Sequence, residues 1–144
     1  MKISIVKLQK NAVVPSYQSE QAAGVDLHAC LDESILLKAG DFIVIPTGLA
    51  VAIPKGYEGQ VRSRSGLAAK HGVAVLNSPG TIDSDYRGEL SVILINHSNN
   101  DFIINHSDRI AQFVIAKHEQ VDFVESDELN TTVRGTGGLG STGR

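Results

Sequence analysis

Residues able to handle an anion gather in a few short stretches of this 144-residue chain. RGTGGLGSTGR, from Arg134 to Arg144, holds five glycines with an arginine at each end. Glycine permits conformations in which successive backbone N–H groups converge on an anion, and Arg134, Ser141, Thr142 and Arg144 add donors. Gly135, Gly137 and Gly140 match the spacing G-x-G-x-x-G, a dinucleotide signal only between a strand and a helix. The four residues after Gly140 leave no room for that helix. Gly135 and Gly140 also have phosphate-loop spacing, but Ser141 stands where the lysine belongs. A phosphate wrap and a solvent-exposed tail both remain open, and the stretch taken alone favours the tail.

Three further stretches could carry chemistry. In TIDSDYRGEL, Thr81 to Leu90, the acids Asp83, Asp85 and Glu89 surround Tyr86, behind Pro79-Gly80. A hairpin arm bearing a carboxylate and a ring could line a pocket; the plainer reading is a solvated turn. A calcium loop is excluded because Arg87 fills a ligand position. In RSRSGLAAKHG, Arg64-Ser65-Gly66 leads into the one stretch that could turn as a helix. A helix N-terminus suits phosphate, and Arg64 and Ser65 strengthen that; Ser65 as a simple N-cap is compatible with it. In AAGVDLHA, Asp26 sits alone in an apolar, strand-like context and reads first as a turn former. The five histidines show no metal spacing. His97 and His106 lie in repeated Asn-His-Ser triplets that suggest similar turn chemistry, and no histidine is assigned a role.

The elements that must position these residues are mostly strands. Ile3 to Leu8, Ser34 to Ala39, Asp41 to Pro46, Gly48 to Pro54, Gly59 to Arg64, Leu90 to Asn96, Asp101 to His106 and Ile110 to His118 are short and rich in Val and Ile, with Gly, Pro and Asn breakers between them. That spacing predicts a β-sandwich, jelly roll or barrel. Ser65 to His71 is the helical candidate, and the Asp83 stretch reads as a hairpin between Val73–Leu76 and Leu90–Asn96. LSVILIN, Leu90 to Asn96, is almost continuously apolar, as in a strand covered on both faces; a central core strand and a subunit interface explain it equally. After Val124 the chain turns polar and glycine-rich, which places the end of the compact domain there.

Bulk composition sets the outer limits. The chain is 42% hydrophobic, enough for one domain to bury a core. A net charge of −3 argues against nucleic-acid binding. One cysteine, Cys30, rules out an intrachain disulfide and fits a reducing compartment. With no signal-peptide pattern in MKISIVKLQKN and no apolar run near roughly 18 residues, the expectation is a soluble cytoplasmic protein that makes no use of a membrane.

The motifs occur in one order: AGVDL, RSGLA, GTIDSDYRGEL, RIAQ, RGTGGLGSTG. From Ile3 to Gly143 that order resembles the five motifs of the homotrimeric dUTPases, the deoxyuridine triphosphate nucleotidohydrolases. The resemblance implies an all-β, distorted jelly-roll subunit with one short helix: a catalytic domain over 1–124 and a flexible C-terminal arm over 125–144. The arm would close an active site of another subunit in a homotrimer. It implies Mg²⁺-dependent hydrolysis of dUTP to dUMP and pyrophosphate, keeping uracil out of DNA and supplying dUMP for thymidylate synthesis. By the same resemblance Asp83 prepares the attacking water and Gln112 sits beside it. Asn77, with the hairpin backbone through Thr81 and Ile82, reads uracil, and Tyr86 lies under the deoxyribose and excludes a 2′-hydroxyl. Arg64, Ser65 and Gly66 hold phosphates, Asp26 holds Mg²⁺ through water, and Arg134, Gly138, Leu139, Gly140, Ser141 and Thr142 wrap the nucleotide.

Two positions depart from the family pattern. Leu139 stands where an aromatic ring usually stacks on uracil, and Ser107 replaces the glycine that usually precedes the Asp-Arg-Ile-Ala-Gln run. If that position needs φ > 0, serine carries a cost. Two rival activities share the expected architecture: a dCTP deaminase, which would need a base-side acid aimed at cytosine, and a nucleotide-sensing module without turnover.

Overall fold

A computed structural model describes residues 1–139, so Gly140, Ser141 and Thr142 lie outside the described residues. The strands are β1 (Ser4–Lys7), β2 (Val25–His28), β3 (Ile35–Leu37), β4 (Phe42–Pro46), β5 (Leu49–Ala52), β6 (Tyr57–Arg62), β7 (Val73–Val75), β8 (Gly80–Ile82), β9 (Ser91–Asn96), β10 (Phe102–Ile104) and β11 (Arg109–Lys117). One helix, α1 (Ser65–His71), interrupts them. They form a four-stranded sheet β2-β11-β6-β8, a three-stranded sheet β4-β9-β7, and the pairs β1-β5 and β10-β3, all antiparallel. This is a distorted jelly roll.

The core lies where the two larger sheets face each other. Leu27, Val61, Ala111 and Phe113 come from the four-stranded sheet, and Ile45, Val73, Val75, Val92 and Leu94 from the three-stranded one. Period-2 alternation sets which face is buried. Along β9, Val92 and Leu94 are buried and Ile93 and Ile95 only half-buried. Their cross-strand neighbours Val44 and Phe42 are 55% and 64% exposed. The second face of LSVILIN is therefore apolar and only partly covered by the described residues. Gly59 makes room for the Phe113 ring, which its missing Cβ would strike.

α1 spans the residues expected, but Ser65 is not its N-cap. Arg64 is the N-cap and makes no side-chain capping bond; Ser65 is already the first helical residue. The helix ends at Gly72, whose left-handed backbone (φ 64°, ψ 16°) returns its N–H to the Ala68 carbonyl. The hairpin around Asp83 is present, since β7 pairs with β9. Between them, however, the chain forms β8 on the edge of the other sheet, so the excursion is built rather than a solvated turn.

The two Asn-His-Ser triplets turn by different chemistry. Asn96 is fully buried; its side-chain oxygen accepts from the Ser98 N–H and hydroxyl, and its Nδ2 donates to the Leu37 and Asn100 carbonyls. In the second triplet His106 Nδ1 accepts the Leu31 N–H, and Ser107 takes φ 66°. Position 107 does need a left-handed backbone, which serine adopts at a cost of about 1–2 kcal/mol. After β11 the chain adds no strand or helix through Leu139.

Candidate active site

Two groups of predicted residues are brought together, at different places. The first lies across the four-stranded sheet. Gln112 in β11 is the register partner of Asp26 in β2 on one side and of Arg62 in β6 on the other. Asp26 is not a turn former: it is a strand residue only 4% exposed. A buried carboxylate needs counter-charge, and Asp26 has two. Arg64 Nε lies 3.0 Å from Oδ1 and Arg109 Nη1 3.3 Å from Oδ2.

Arg109 is the residue that sequence reasoning missed, although it opens the RIAQ run. Its placement depends on a β-bulge. The β11–β2 register slips between Arg109 and Ala111, and such a slip frees one residue's backbone from the ladder and re-aims its side chain. Here the Arg109 carbonyl accepts from Arg64 Nη1 at 3.0 Å while its guanidinium turns to Asp26. The ion-pair cluster itself, two arginines against one aspartate, carries one net positive charge, and Asp108 lies along a groove beside it. Next to it Ser65 and Gly66 are exposed at the start of α1. Arg64, Leu67, Phe102, Asp108, Arg109 and Ile110 line a groove of about 250 Å³ beside this cluster. His28, paired in register with Arg109, is held below its usual pKa chiefly by burial, with Arg109 and Arg64 adding to the depression and Asp26 opposing it.

The second group lines an open groove of about 270 Å³ at the hairpin. Asn77, Thr81, Ile82, Asp83 and Tyr86 meet there with Val44, Glu89, Ser91 and Ile93. β8 is an edge strand, hydrogen-bonded to β6 on one side, so its other side offers backbone donors and acceptors. A turn carries Asp83 and Tyr86, closed by the Tyr86 N–H to the Asp83 carbonyl at 3.2 Å. Arg87 braces it, donating Nη1 to the Ser84 and Tyr86 carbonyls. The return leg is fixed to the β4–β5 corner. Glu89 Oε1 accepts the Gly48 N–H at 2.7 Å, and Thr47, fully buried, donates its hydroxyl to the Leu90 carbonyl at 2.6 Å. Tyr86 is 44% exposed, its hydroxyl donating to the Glu89 carbonyl at 3.1 Å.

The two grooves share no lining residue, and among the described residues the arm, through Leu139, lines neither. Arg134 donates Nε to the nearby Gly137 carbonyl at 2.7 Å. Gly138 and Leu139 are exposed, the Leu139 side chain wholly so.

For a divalent cation, the test is the donor set. Among the described residues no three of His, Cys, Asp and Glu gather around one point, so a protein cage is excluded for them. A carboxylate has about four lone-pair sites, and the arginines occupy one on each Asp26 oxygen. The spare ones could accept hydrogen bonds from the waters of a hydrated Mg²⁺, which would supply positive charge beside an anionic ligand.

Among the described residues no helix is long and apolar enough to cross a membrane. Comparison with known proteins agrees with the fold and the motifs. A family model described as dUTPase matches residues 10–143. A deoxyuridine 5′-triphosphate nucleotidohydrolase of Nautilia profundicola is 56% identical over 144 residues, covering 100% of each chain. One of Helicobacter hepaticus is 59% identical over 143 residues, covering 99% of this chain and 89% of that protein. The solved structure of a Staphylococcus bacteriophage 80alpha dUTPase variant with dUpNHpp superposes with a TM-score of 0.90 at 27% identity, covering 99% of both chains. With a family model spanning nearly all of the chain and relatives more than half identical along it, this protein belongs to the dUTPase family.

Proposed function

We propose that this protein hydrolyses dUTP to dUMP and pyrophosphate in an active site assembled from more than one copy of the chain. The observation that carries the reading is the hairpin groove, where Asn77, an open strand edge, an acid and a tyrosine ring converge. The edge of β8 and Asn77 bind the uracil. A base with the wrong donor pattern would strand those groups at roughly 1–3 kcal/mol each. Tyr86 lies against the deoxyribose. Asp83 takes a proton from a water molecule as the water oxygen bonds to the α-phosphorus; the bond from the α-phosphorus to the bridging oxygen breaks and pyrophosphate leaves with that oxygen. Gln112 orients that water. Arg64, Ser65 and Gly66 hold the phosphate chain, and the positive cluster around Asp26 draws it in. A bound Mg²⁺, held by Asp26 through water, would supply charge neutralisation at the phosphate oxygens.

The separation of the two grooves supports a shared site. Within one chain the phosphate residues and the nucleoside residues line different surfaces. The partly covered apolar face of β4 and β9 adjoins the nucleoside groove through Val44 and Ile93. We place a second copy there, in a homotrimer, with residues 125–144 of one chain closing over a site on another. The phage 80alpha neighbour with a dUTP analogue and a phage phi11 dUTPase described with a structural Mg(II) ion support the substrate and the metal. The lone cysteine supports the cytoplasm as its location.

Pyrophosphate release measured with dUTP, UTP, dTTP and dCTP, and ammonia release with dCTP, tests the reading. Pyrophosphate from dUTP alone is expected. Asp83→Asn should bind dUTP normally and lose roughly 10²- to 10⁴-fold in turnover. Ammonia from dCTP, or an Asp83→Asn enzyme at near-parental speed, would overturn it.

A further inference from the structure

Gly88 lies two residues past Tyr86, on the return side of the hairpin turn. Its φ is outside the left-handed region, so backbone conformation does not require glycine there. Space does. A Cβ built on Gly88 would lie 2.5 Å from Tyr86 Cζ and 2.9 Å from Cε2, with the hydroxyl oxygen nearer still. The phenol therefore rests directly on the Gly88 backbone, tethered at its tip to the Glu89 carbonyl. Glu89 is in turn anchored by its own carboxylate to the Gly48 N–H.

We infer that Gly88 is a positioning residue for sugar selection: its missing side chain is the seat that sets the height and tilt of the Tyr86 ring in the nucleoside groove. The inference rests on the proposed place of Tyr86 against the deoxyribose. Ordinary van der Waals contact begins at 3.4 Å. A methyl group at position 88 thus drives the ring away by about 1 Å, a displacement of the size that costs a positioned group up to about 10²-fold in rate. The atoms struck are the far end of a side chain that is 44% exposed and lines the groove, so the ring moves while the backbone stays. Displaced and without its tether to the Glu89 carbonyl, the ring no longer holds one position against the deoxyribose, so both the use of dUTP and the preference for dUTP over UTP decline.

A double-mutant cycle tests this. Gly88→Ala should lower kcat/KM for dUTP roughly 10- to 100-fold, chiefly through KM, and shrink the dUTP-to-UTP preference. In a Tyr86→Ala background, where there is no ring to strike, Gly88→Ala should change kcat/KM less than about 2-fold. Circular dichroism and thermal unfolding follow each variant. If Gly88→Ala fails to fold, the double variant should fold and restore what Tyr86→Ala shows alone; a double variant that also fails to fold would place the cost in the backbone and overturn the inference. So would Gly88→Ala with parental selectivity, or an equal penalty with and without the ring. Tyr86→Ala that keeps full preference for dUTP would instead sink the sugar-site reading of Tyr86, and with it the selectivity role of Gly88, while unequal penalties would still report the contact.

Discussion

Removing the arginines around Asp26 one at a time should expose an unequal partnership. Asp26 and Arg64 are 3.0 Å apart with side chains 5% and 23% exposed, whereas Arg109 is 3.3 Å away and 49% exposed. Stripping a buried charge of its partner costs about 3–5 kcal/mol, and an exposed pair contributes about 0–1 kcal/mol. Arg64 is not wholly buried, so its loss is discounted, but it also forfeits its bond to the Arg109 carbonyl, about 1 kcal/mol. Arg64→Met should therefore cost about 2–3 kcal/mol and Arg109→Met less than about 1 kcal/mol. At roughly 2–4 °C per kcal/mol for a chain of this size, the melting temperatures fall by about 4–12 °C and less than about 4 °C. Urea titrations at one fixed protomer concentration measure both. In an Asp26→Asn background the Arg64→Met penalty should shrink by at least about 1 kcal/mol, because no buried charge is left stranded. Equal penalties for the two arginines, or strict additivity with Asp26→Asn, would refute the argument.

Other outcomes follow from the same reasoning. Deleting Arg134 to Arg144 should leave secondary structure and assembly intact by circular dichroism and sedimentation while turnover of dUTP falls severely; undiminished turnover would reduce the arm to a tail. Ser107→Gly should raise stability by about 0.5–1 kcal/mol in the same titrations, since glycine accepts φ 66° without the steric cost and gives part of it back as unfolded-chain entropy. Burial first, then the acids Glu89 and Asp32, raises the pKa of Cys30, whose thiol donates to Asn11 Oδ1. The folded state then resists ionisation that the unfolded chain allows, so stability is whole below the ordinary thiol range and declines as pH rises through it. Cys30→Ala should flatten that decline, read as the urea midpoint between pH 7 and pH 10.

How far the sequence could be read depended on how local each cause was. α1 was legible to the residue because Ser65 to His71 holds the one good helix-forming run and Gly72 ends it. The Ser107 backbone was foreseeable from a motif position usually held by glycine. β8 was not read as a strand because three residues, Gly80 to Ile82, hold no periodicity; pairing with β6 makes them one. Arg109 stayed hidden because its partner lies 83 positions away and its aim comes from a bulge, which leaves no mark in composition. Asp26 looked like a turn former for the same reason: its burial depends on Arg64 and Arg109, neither of them near it in sequence. The hairpin residues, by contrast, sit within one stretch, and they line one groove.

The bonds that tie Glu89 and Leu90 to the β4–β5 corner bear on when an unsuitable nucleotide is turned away. A cradle for the base that is already stiff discriminates at first encounter, before any phosphate has been gripped. Plain nucleosides and monophosphates, though weakly held, should then rank in the same order as the triphosphates.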